Sequence, residues 1–433
     1  MTPTEAGIIG FVALVVLMFL KIPVGFVMAL VGLIGFAHLV SWDASLHLMA
    51  QDFFSVFGSY NLTVIPLFVL MGQLAHHSGM SSRLFHAAYR FLGSLPGGLA
   101  VATIGACAGF SAICGSTSAT AATMAAVALP EMKKYNYDPS LATGVVAAGG
   151  SLGILIPPST IFIVYGIMTE QSVGKLFLAG VVPGILMTLL FIATVFVWTW
   201  KRPDLAMPGA RFTLREKIAS LAGVIETLIL FLAVMGGLFA GLFTPTEAAA
   251  IGAFGTLLIA VAGRHLSWKG FSQALVETTR ITCMILVIVA GATVFGHFLA
   301  VTRIPFDVGA WVLGLQMPPW AVMAMIILIY IVLGCLMDSL AMIMLTIPIF
   351  FPVITSLGFD PIWFGVIIVL VTGMGVITPP VGINVYVVAG VARDVPLQTI
   401  FRGAVRLLAA QVVTAALLIL FPQIALWLPQ RMH

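Results

Sequence analysis

The 433-residue chain contains very little charge: its 19 Lys and Arg and 15 Asp and Glu make up 8% of the residues. A soluble globular protein carries roughly 25% charged residues, so this composition cannot cover a surface exposed to water. Hydrophobic residues make up 61% of the chain, and the mean hydropathy is +1.16. The scarcity of charge excludes a soluble enzyme, a nucleic-acid-binding protein and a disordered protein. The composition predicts an all-α membrane protein that crosses the bilayer several times.

Cysteine is also scarce, and the common catalytic motifs are absent. The four cysteines lie inside apolar segments and no two of them have the C-x-x-C spacing: Cys107, Cys114, Cys283 and Cys335. This pattern argues against a disulfide framework or a structural metal site. The chain has neither an H-E-x-x-H nor a Walker A motif, so a metalloprotease or an ATPase gains no support. We therefore expect no enzyme activity and no organic cofactor, and transport driven by an ion gradient or by facilitated diffusion.

Apolar runs of membrane-spanning length dominate the chain, since a spanning helix needs about 20 apolar residues. Uninterrupted runs lie at 5–20, 23–40, 60–79, 174–199, 219–240, 247–263, 281–300 and 404–428. The runs at 97–132, 139–168, 319–356 and 361–392 are interrupted. Two segments of mixed polarity, 44–58 and 267–280, predict interfacial helices. The first run has no basic residue ahead of it and predicts a retained helix rather than a cleaved signal peptide.

A shift of 222 positions aligns two parts of the chain without gaps. It superposes residues that set backbone shape: Pro157-Pro158 with Pro379-Pro380, Asp138-Pro139 with Asp360-Pro361, and Gly153 with Gly375. These matches predict two structural repeats at 41–200 and 245–430 within a single membrane domain spanning 1–433. N-terminal scaffold helices at 1–40 precede them. A cytoplasmic loop and a linking helix at 201–244 join them.

The basic residues predict the orientation. If 97–132 and 319–356 are re-entrant hairpins and both termini are periplasmic, only Lys175, Arg303 and Arg431 of the 19 basic residues lie outside. The first hairpin then enters from the cytoplasmic face and the second from the periplasmic face, so the repeats are inverted. Inverted repeats with broken helices near the midplane are typical of transporters. Charge alone does not separate a hairpin from two spans, but the short arms and the chemistry of the breaks favour the hairpin.

The first hairpin breaks at a cluster of small polar residues. Gly115 is followed by four hydroxyl side chains: Ser116, Thr117, Ser118 and Thr120. Unwound backbone at membrane depth is tolerated only where it faces protein or a water-filled cavity. Freed carbonyls and hydroxyls suit Na⁺, and the amides at the start of the following helix suit an anion. Close helix packing through small residues is the alternative interpretation.

The two interrupted helices carry equivalent breaks. Each combines glycines, hydroxyl or amide side chains and a Pro-Pro pair: Ser151, Gly153, Pro157, Pro158 and Ser159 in 139–168, and Gly375, Thr378, Pro379, Pro380, Gly382 and Asn384 in 361–392. Adjacent prolines free carbonyls one turn back. Two such breaks at equivalent positions indicate a binding site, and a simple proline kink is the alternative.

Other polar residues in apolar surroundings leave two interpretations each. Asp338, at the break of the second hairpin, would neutralise Na⁺ or cap the returning helix. Arg303 would bind a substrate carboxylate or anchor the chain at the interface. Glu226 would face a partner helix or the cytoplasmic boundary, and His297 would make a structural hydrogen bond or bind a ligand. The segment Thr-Pro-Thr-Glu-Ala, at 2–6 and again at 244–248, predicts helix capping boxes or partner docking.

Four segments together resemble the large membrane subunit of the tripartite ATP-independent periplasmic (TRAP) transporters. They lie at 115–119, 150–159, 244–248 and 378–382, and the likeness runs from the N-terminus to about residue 428. The resemblance implies a fold like that of the ion-transporter superfamily, with an elevator mechanism. It implies a Na⁺-coupled importer of organic acids, such as C4-dicarboxylates, sugar acids or other carboxylates, in the bacterial inner membrane.

The resemblance also implies partners and site residues. The partners are a small four-helix membrane subunit on a second polypeptide, a soluble periplasmic substrate-binding protein and membrane lipid, with no nucleic acid. Na⁺ would lie where each hairpin tip meets the broken helix of its own repeat: at Gly115, Ser116, Ser118, Ser151 and Gly153, and at Asp338, Gly375, Thr378 and Gly382. By the resemblance the substrate would lie between the tips. From the residues themselves we expect contacts with Ser116, Thr117, Ser118, Ser159, Asn384 and Arg303.

Two other functions remain open at this point. One is a stand-alone carboxylate or inorganic-anion symporter with a related two-hairpin fold, and the other is a passive channel. The sequence does not name the organic acid, because the binding protein is expected to select it.

Overall fold

The computed structural model describes residues 2–20, 22–314 and 317–431, and these residues contain helices and no strands. Seven of the described helices are long and apolar enough to cross a membrane, or eight if one bent pair counts as a single span. A helix satisfies its backbone hydrogen bonds within the segment, as a hydrocarbon environment requires. The prediction of an all-α membrane protein with several spans is confirmed.

The first half of the chain contains eleven helices among the described residues. They are α1 Pro3–Phe19, α2 Val24–Leu39, α3 Trp42–Phe57, α4 Val64–His77, α5 Met80–Leu92, α6 Gly98–Cys114, α7 Thr117–Lys134, α8 Pro139–Gly150, α9 Leu152–Leu155, α10 Thr160–Met168 and α11 Val173–Lys201. The chain bends by 49° between α3 and the segment that carries α4. Helices α6 and α7 form the first hairpin, and α8 to α10 form the first broken helix.

The second half repeats this order after two connecting helices. Its helices are α12 Leu214–Phe239, α13 Pro245–Ala262, α14 Trp268–Thr302, α15 Ile304–Gly314, α16 Pro319–Gly334, α17 Ser339–Ser356, α18 Pro361–Gly375, α19 Ile383–Val391, α20 Leu397–Leu420 and α21 Gln423–Leu426. Helices α16 and α17 form the second hairpin. Helices α18 and α19 form the second broken helix.

The helix bounds agree with the sequence shift of 222 positions. The shift carries α7 onto 339–356, the bounds of α17, and it carries the first residue of α8 onto the first residue of α18. The match fails where the bent pair α3 and α4 corresponds to the single helix α14, and where α9 has no separate counterpart in the second broken helix. The predicted separation of 267–280 from 281–300 is therefore wrong. No Gly or Pro interrupts the chain there, so the helix continues while its polarity changes.

Local sequence determines where several helices begin. In the predicted capping boxes, the Thr244 amide donates to Glu247 Oε2 at 2.8 Å and the Glu247 amide donates to Thr244 Oγ1 at 3.3 Å. Thr2 and Glu5 form the same reciprocal pair at α1. The capping interpretation of the recurring Thr-Pro-Thr-Glu-Ala segment is confirmed.

Burial divides the helices into an inner and an outer group. In the broken helix 139–168, 83% of the most apolar stretch of 18 residues is buried. The corresponding fraction is 22% in α12 and 33% in α13. Helices α2 and α14 pack at backbone distance, because a Cβ on Gly25 would lie 2.8 Å from the Val287 carbonyl oxygen. Small residues permit this approach between membrane helices. The broken helix 139–168 is thus an inner element, and α12 and α13 belong to the outer wall.

Helix α20 connects the outer ends of the two hairpins. Near its start, Lys133 at the end of α7 pairs with Asp394 at 2.6 Å. That hydrogen bond holds the pKa of the exposed Asp394 carboxyl below its usual range. Near its end, Trp363 Nε1 donates to the Leu418 carbonyl at 2.9 Å, and the Trp363 ring packs edge-on against Trp320 at the start of α16. A helix of 24 residues spans about 36 Å, so the outer ends of the hairpins lie far apart.

Candidate functional site

The tip of the first hairpin is a two-residue link between α6 and α7. Gly115 ends α6 with φ of +63°, a left-handed conformation that favours glycine. Ser116 caps α7, and its Oγ accepts a hydrogen bond from the Ala119 amide at 3.4 Å. Ser118 Oγ lies 3.4 Å from Ser116 Oγ. The link therefore places two hydroxyls at the N-terminus of a helix, where backbone amides point outward.

This tip lies against the break in the helix of its own repeat. Thr160 Oγ1 donates to the Gly115 carbonyl at 3.2 Å, and a Cβ on Gly115 would lie 2.7 Å from the Pro158 carbonyl oxygen. Ser159 is buried, and its Oγ caps α10 by accepting from the Phe162 amide at 3.4 Å. The Pro-Pro break therefore provides the surface on which the tip rests.

Gly153 brings backbone and side-chain oxygens of the tip together. A Cβ at this position would lie 2.7 Å from the Ser116 carbonyl carbon and 3.0 Å from Thr120 Oγ1. The Thr120 hydroxyl is buried and has no hydrogen-bond partner among the described residues. An oxygen set of this kind suits a hard cation such as Na⁺. The described residues contain no cluster of three His, Cys, Asp or Glu side chains that could hold a metal.

Ser151 lies near this oxygen set but is already hydrogen-bonded. Its Oγ donates to the Ala148 carbonyl at 2.6 Å and accepts from Gln411 Nε2, also at 2.6 Å. Gln411 additionally donates to the Gly373 carbonyl at 3.4 Å. Ser151 thus connects the first broken helix to α20 and to the second broken helix.

The second tip has an equivalent position on the second broken helix. A Cβ on Gly375 would lie 2.5 Å from the Gly334 carbonyl carbon, and the Val381 amide donates to the Cys335 carbonyl at 3.3 Å. Asp338 caps α17, because its Oδ2 accepts from the Leu340 amide at 3.0 Å. The structure therefore shows the capping role that the sequence left open for Asp338.

Two further residues of the predicted second cation site shape the break itself. Thr378 Oγ1 donates to the Met374 carbonyl at 2.7 Å. Gly382 adopts φ of +59° and begins α19. These residues lie on the second broken helix, as predicted, and their coordination of Na⁺ stays a prediction.

A cavity of about 120 Å³ lies between the two tips. The tips contribute the polar side, with Ser116, Thr117, Ser118, Asp338 and Ser339. Helices α4 and α14 contribute the opposite wall, with Val69, Gln73, Ile281, Met284 and Ile285. Among the residues described, no Lys, Arg or His lines this cavity. Polar groups from both repeats thus converge on one concave space, which is the usual form of a small-molecule site.

Three predicted substrate residues lie elsewhere. Asn384 is buried, and its Nδ2 donates to the Ala147 carbonyl of α8 at 3.1 Å. Ser159 lies behind the tip, as described above. Arg303 is exposed and ends α14 in a left-handed conformation with φ of +61°. These residues do not line the cavity, and their contact with substrate stays a prediction.

The structure also places the other polar residues that the sequence left open. His297 Nε2 lies 3.3 Å from Asp52 Oδ1, so it makes the structural contact that was one of its two interpretations. Glu226 is exposed on α12. Gln73 and Ser339 line the cavity, although the sequence analysis did not select them. The only available signal for Gln73 was a polar residue within an apolar run.

Comparison with known proteins identifies the family. The family model described as "Tripartite ATP-independent periplasmic transporter, DctM component" matches residues 11–424. The chain belongs to this family. It is 36% identical over 386 residues to the C4-dicarboxylate TRAP transporter large permease protein DctM of Pseudomonas aeruginosa, covering 89% of this chain and 90% of that protein. It is 33% identical over 416 residues to the sialic acid TRAP transporter large permease protein SiaM of Vibrio cholerae, covering 96% of each.

Two further likenesses concern a longer relative and the fold. The chain is 36% identical over 351 residues to the isethionate TRAP transporter permease protein DctMQ of Oleidesulfovibrio alaskensis, and the match covers 54% of that protein. The crystal structure of the Alcanivorax borkumensis YdaH transporter has a similar fold, with a TM-score of 0.64, 17% identity and coverage of 89% of this chain and 91% of that one. The TRAP large permease is thus a transport protein and not an enzyme, and the predicted family is confirmed.

Proposed function

We propose that this TRAP large permease is the membrane subunit of a Na⁺-coupled importer of organic acids. It works in the bacterial inner membrane with a small membrane subunit and a periplasmic substrate-binding protein. Family membership supports the assembly, and the relatives are named for organic anions: C4-dicarboxylate, sialic acid and isethionate. The cavity between the tips supports a site within this chain for a small acid.

The oxygen set at Gly153 carries the proposal of sodium coupling. The Ser116 carbonyl and the Thr120 hydroxyl both lie against Gly153, and that hydroxyl has no hydrogen-bond partner among the described residues. A buried hydroxyl without a partner costs free energy, so an ion or a water bound there would stabilise the tip. Na⁺ bound behind the tip would support the N-terminus of α7 facing the cavity. Substrate affinity would then depend on Na⁺, which is the coupling that transport requires.

The positions of the hairpins support inverted repeats. Their outer ends lie at opposite ends of α20, so the hairpins enter the membrane from opposite faces. Residues assigned to the cytoplasmic face also contact one another: Arg90 Nη1 donates to the Glu216 carbonyl at 3.3 Å, and the Gly209 amide donates to the Gly93 carbonyl at 2.7 Å. We therefore place the charged loop in the cytoplasm and both termini in the periplasm.

The packing supports an elevator mechanism. Each tip rests on the broken helix of its own repeat, and Gln411 joins α20 to both broken helices. These elements would move as one unit that carries substrate and Na⁺. Helices α12 and α13 would stay in place with the N-terminal helices, and Glu226 would mark where the small subunit docks. The exposed Glu226 carboxylate, close to the Arg83 guanidinium that donates to the Gly223 carbonyl at 3.3 Å, would lie at that docking face.

Uptake by the reconstituted complex tests the sodium site. Initial rates are measured against Na⁺ concentration in proteoliposomes that contain this chain, the small subunit and the loaded binding protein. The double variant Ser116→Ala with Ser118→Ala should raise the half-saturating Na⁺ concentration by about tenfold. Ser172→Ala is the matched control, because Ser172 Oγ also caps a helix with an amide contact of 3.4 Å but lies before α11, away from the tips. An unchanged Na⁺ dependence in the double variant would refute coordination of Na⁺ by these two hydroxyls, and uptake without Na⁺ would refute the coupling.

A further inference from the structure

The size of the cavity between the tips limits the substrate. Its volume is about 120 Å³, whereas pockets for drug-sized ligands measure about 300–1,000 Å³. A single water occupies about 10–15 Å³ on the same kind of measure. The space therefore accommodates an acid of a few carbon atoms, whereas a nine-carbon sugar acid would extend beyond it.

The charges around the cavity limit the substrate further. Asp338 is the only acidic side chain among the described residues that line it, and no Lys, Arg or His lies beside it there. Positive charge must come from the coupling cations and from the helix N-termini at the tips. Each substrate carboxylate needs a counter-charge from these few sources, and burying an uncompensated charge is costly, so one carboxylate is accommodated more readily than two.

The wall opposite the tips carries a single polar side chain. Val69, Ile281, Met284 and Ile285 make this wall apolar, and Gln73 on α4 interrupts it. Gln73 is 8% exposed. Side-chain hydrogen bonds form among the described residues around the tips, but none of them involves Gln73. A carboxamide can both donate and accept. A hydroxyl group on the substrate would satisfy it, and a substrate without such a group would leave it unpaired.

We propose that the cavity accepts a short monoanionic acid that carries one hydrogen-bonding group, such as a 2-hydroxy acid, and that Gln73 contacts this group. The proposal rests on the proposed function, because it places the substrate carboxylate at the hairpin tips beside Na⁺. In this arrangement, α4 and α14 recognise the part of the substrate that lies beyond its carboxylate. Sites that bind a substrate hydroxyl discriminate strongly against analogues without it, since the unpaired site group is the source of selectivity.

Calorimetric binding to the complex of this chain with its small subunit tests the proposal without the binding protein. The probes are 2-hydroxybutyrate, butyrate, succinate and N-acetylneuraminate, each with and without Na⁺. We expect Na⁺-dependent binding that is tightest for 2-hydroxybutyrate and about tenfold weaker for butyrate, as the loss of one hydrogen bond predicts. Succinate should bind more weakly still because of its second charge, and N-acetylneuraminate should not bind because of its size.

Variants of Gln73 test the assigned contact. Gln73→Leu should bind 2-hydroxybutyrate and butyrate equally, and Gln73→Met provides a second variant if the first does not fold. Gln273→Leu is the control, since Gln273 is an exposed residue of α14 that does not line the cavity. A retained preference for 2-hydroxybutyrate in a folded Gln73 variant would refute the contact.

The outcomes separate this inference from the proposed function. Na⁺-dependent binding that is tightest for succinate or N-acetylneuraminate would overturn the inference and leave the proposed function intact. A folded, monodisperse complex that binds none of the four acids in Na⁺ would count against both. The ranking of probes on the unmodified complex decides the size and charge argument whether or not the variants fold.

Discussion

The closest backbone approach in the second site allows a sharp test. A Cβ on Gly375 would lie 2.5 Å from the Gly334 carbonyl carbon, 2.6 Å from its Cα and 2.7 Å from its carbonyl oxygen. All three neighbours are backbone atoms, so no flexible side chain can move aside. Gly373 is two residues earlier in α18 and equally buried, but the nearest atom to a Cβ there lies 3.6 Å away, an ordinary contact. Gly375→Ala should therefore displace the second tip, and Gly373→Ala should not.

The expected magnitude follows from the overlap. Adding a methyl group to a well-packed interior costs about 1–3 kcal/mol, and removal of a helical glycine returns less than about 1 kcal/mol in either variant. If about 2 kcal/mol disfavours the contact of the second tip with α18, the fraction of molecules that keep this contact falls by up to about 30-fold. The apparent affinity for Na⁺ falls in proportion to the competent population. Gly375→Ala should thus raise the half-saturating Na⁺ concentration by up to about 30-fold.

The assay is Na⁺-dependent uptake into proteoliposomes that hold the complete transporter, with thermal unfolding of the purified complex measured alongside. Gly373→Ala should remain close to the unmodified protein in both measurements. If Gly375→Ala has the same Na⁺ dependence as Gly373→Ala, the contact between α16 and α18 does not control the site, and the reasoning fails. If Gly375→Ala loses stability but keeps its Na⁺ affinity, the contact is structural alone.

Three further predictions follow from the same arrangement. Thr120→Val should raise the half-saturating Na⁺ concentration with little effect on thermal stability, because the hydroxyl has no hydrogen-bond partner to lose among the described residues; unchanged uptake kinetics would remove Thr120 from the site. In intact cells, an impermeant thiol reagent should label Glu170→Cys but not Ala210→Cys, and the reverse pattern would contradict the orientation. In a background without the four native cysteines, a short crosslinker between Ser118→Cys and Ile285→Cys, which line opposite walls of the cavity, should abolish transport. Full activity with the crosslink confirmed would indicate gating by local movement of the tip.

The sequence predicted the features that depend on local chemistry. Gly115 and the hydroxyls after it indicated where the first hairpin turns, because hydrocarbon forces such a break to face protein or a cavity. The shift of 222 positions anticipated the shared bounds of α7 and α17, since Asp-Pro and Pro-Pro pairs fix where helices begin and break. It also predicted the capping boxes, which involve residues only three positions apart.

The sequence alone could not assign contacts between distant segments. Arg303 is close to the second hairpin in the chain, but the structure places it outside the residues that line the cavity. Asn384 faces α8 of the other repeat rather than the space between the tips. Whether a polar side chain faces the cavity depends on how helices from different parts of the chain rotate against each other, and no local pattern encodes that rotation.

The sequence by itself determined the membrane environment, the helical breaks and the family, because charge content, proline and glycine act within a few residues of where they stand. Only the tertiary structure decided which groups surround the cavity. It placed Gln73 of α4 opposite the tips and brought the Thr120 hydroxyl to Gly153. The physical reason is that a binding site is a set of distances between segments far apart in the chain, and those distances are set by packing across the whole bundle.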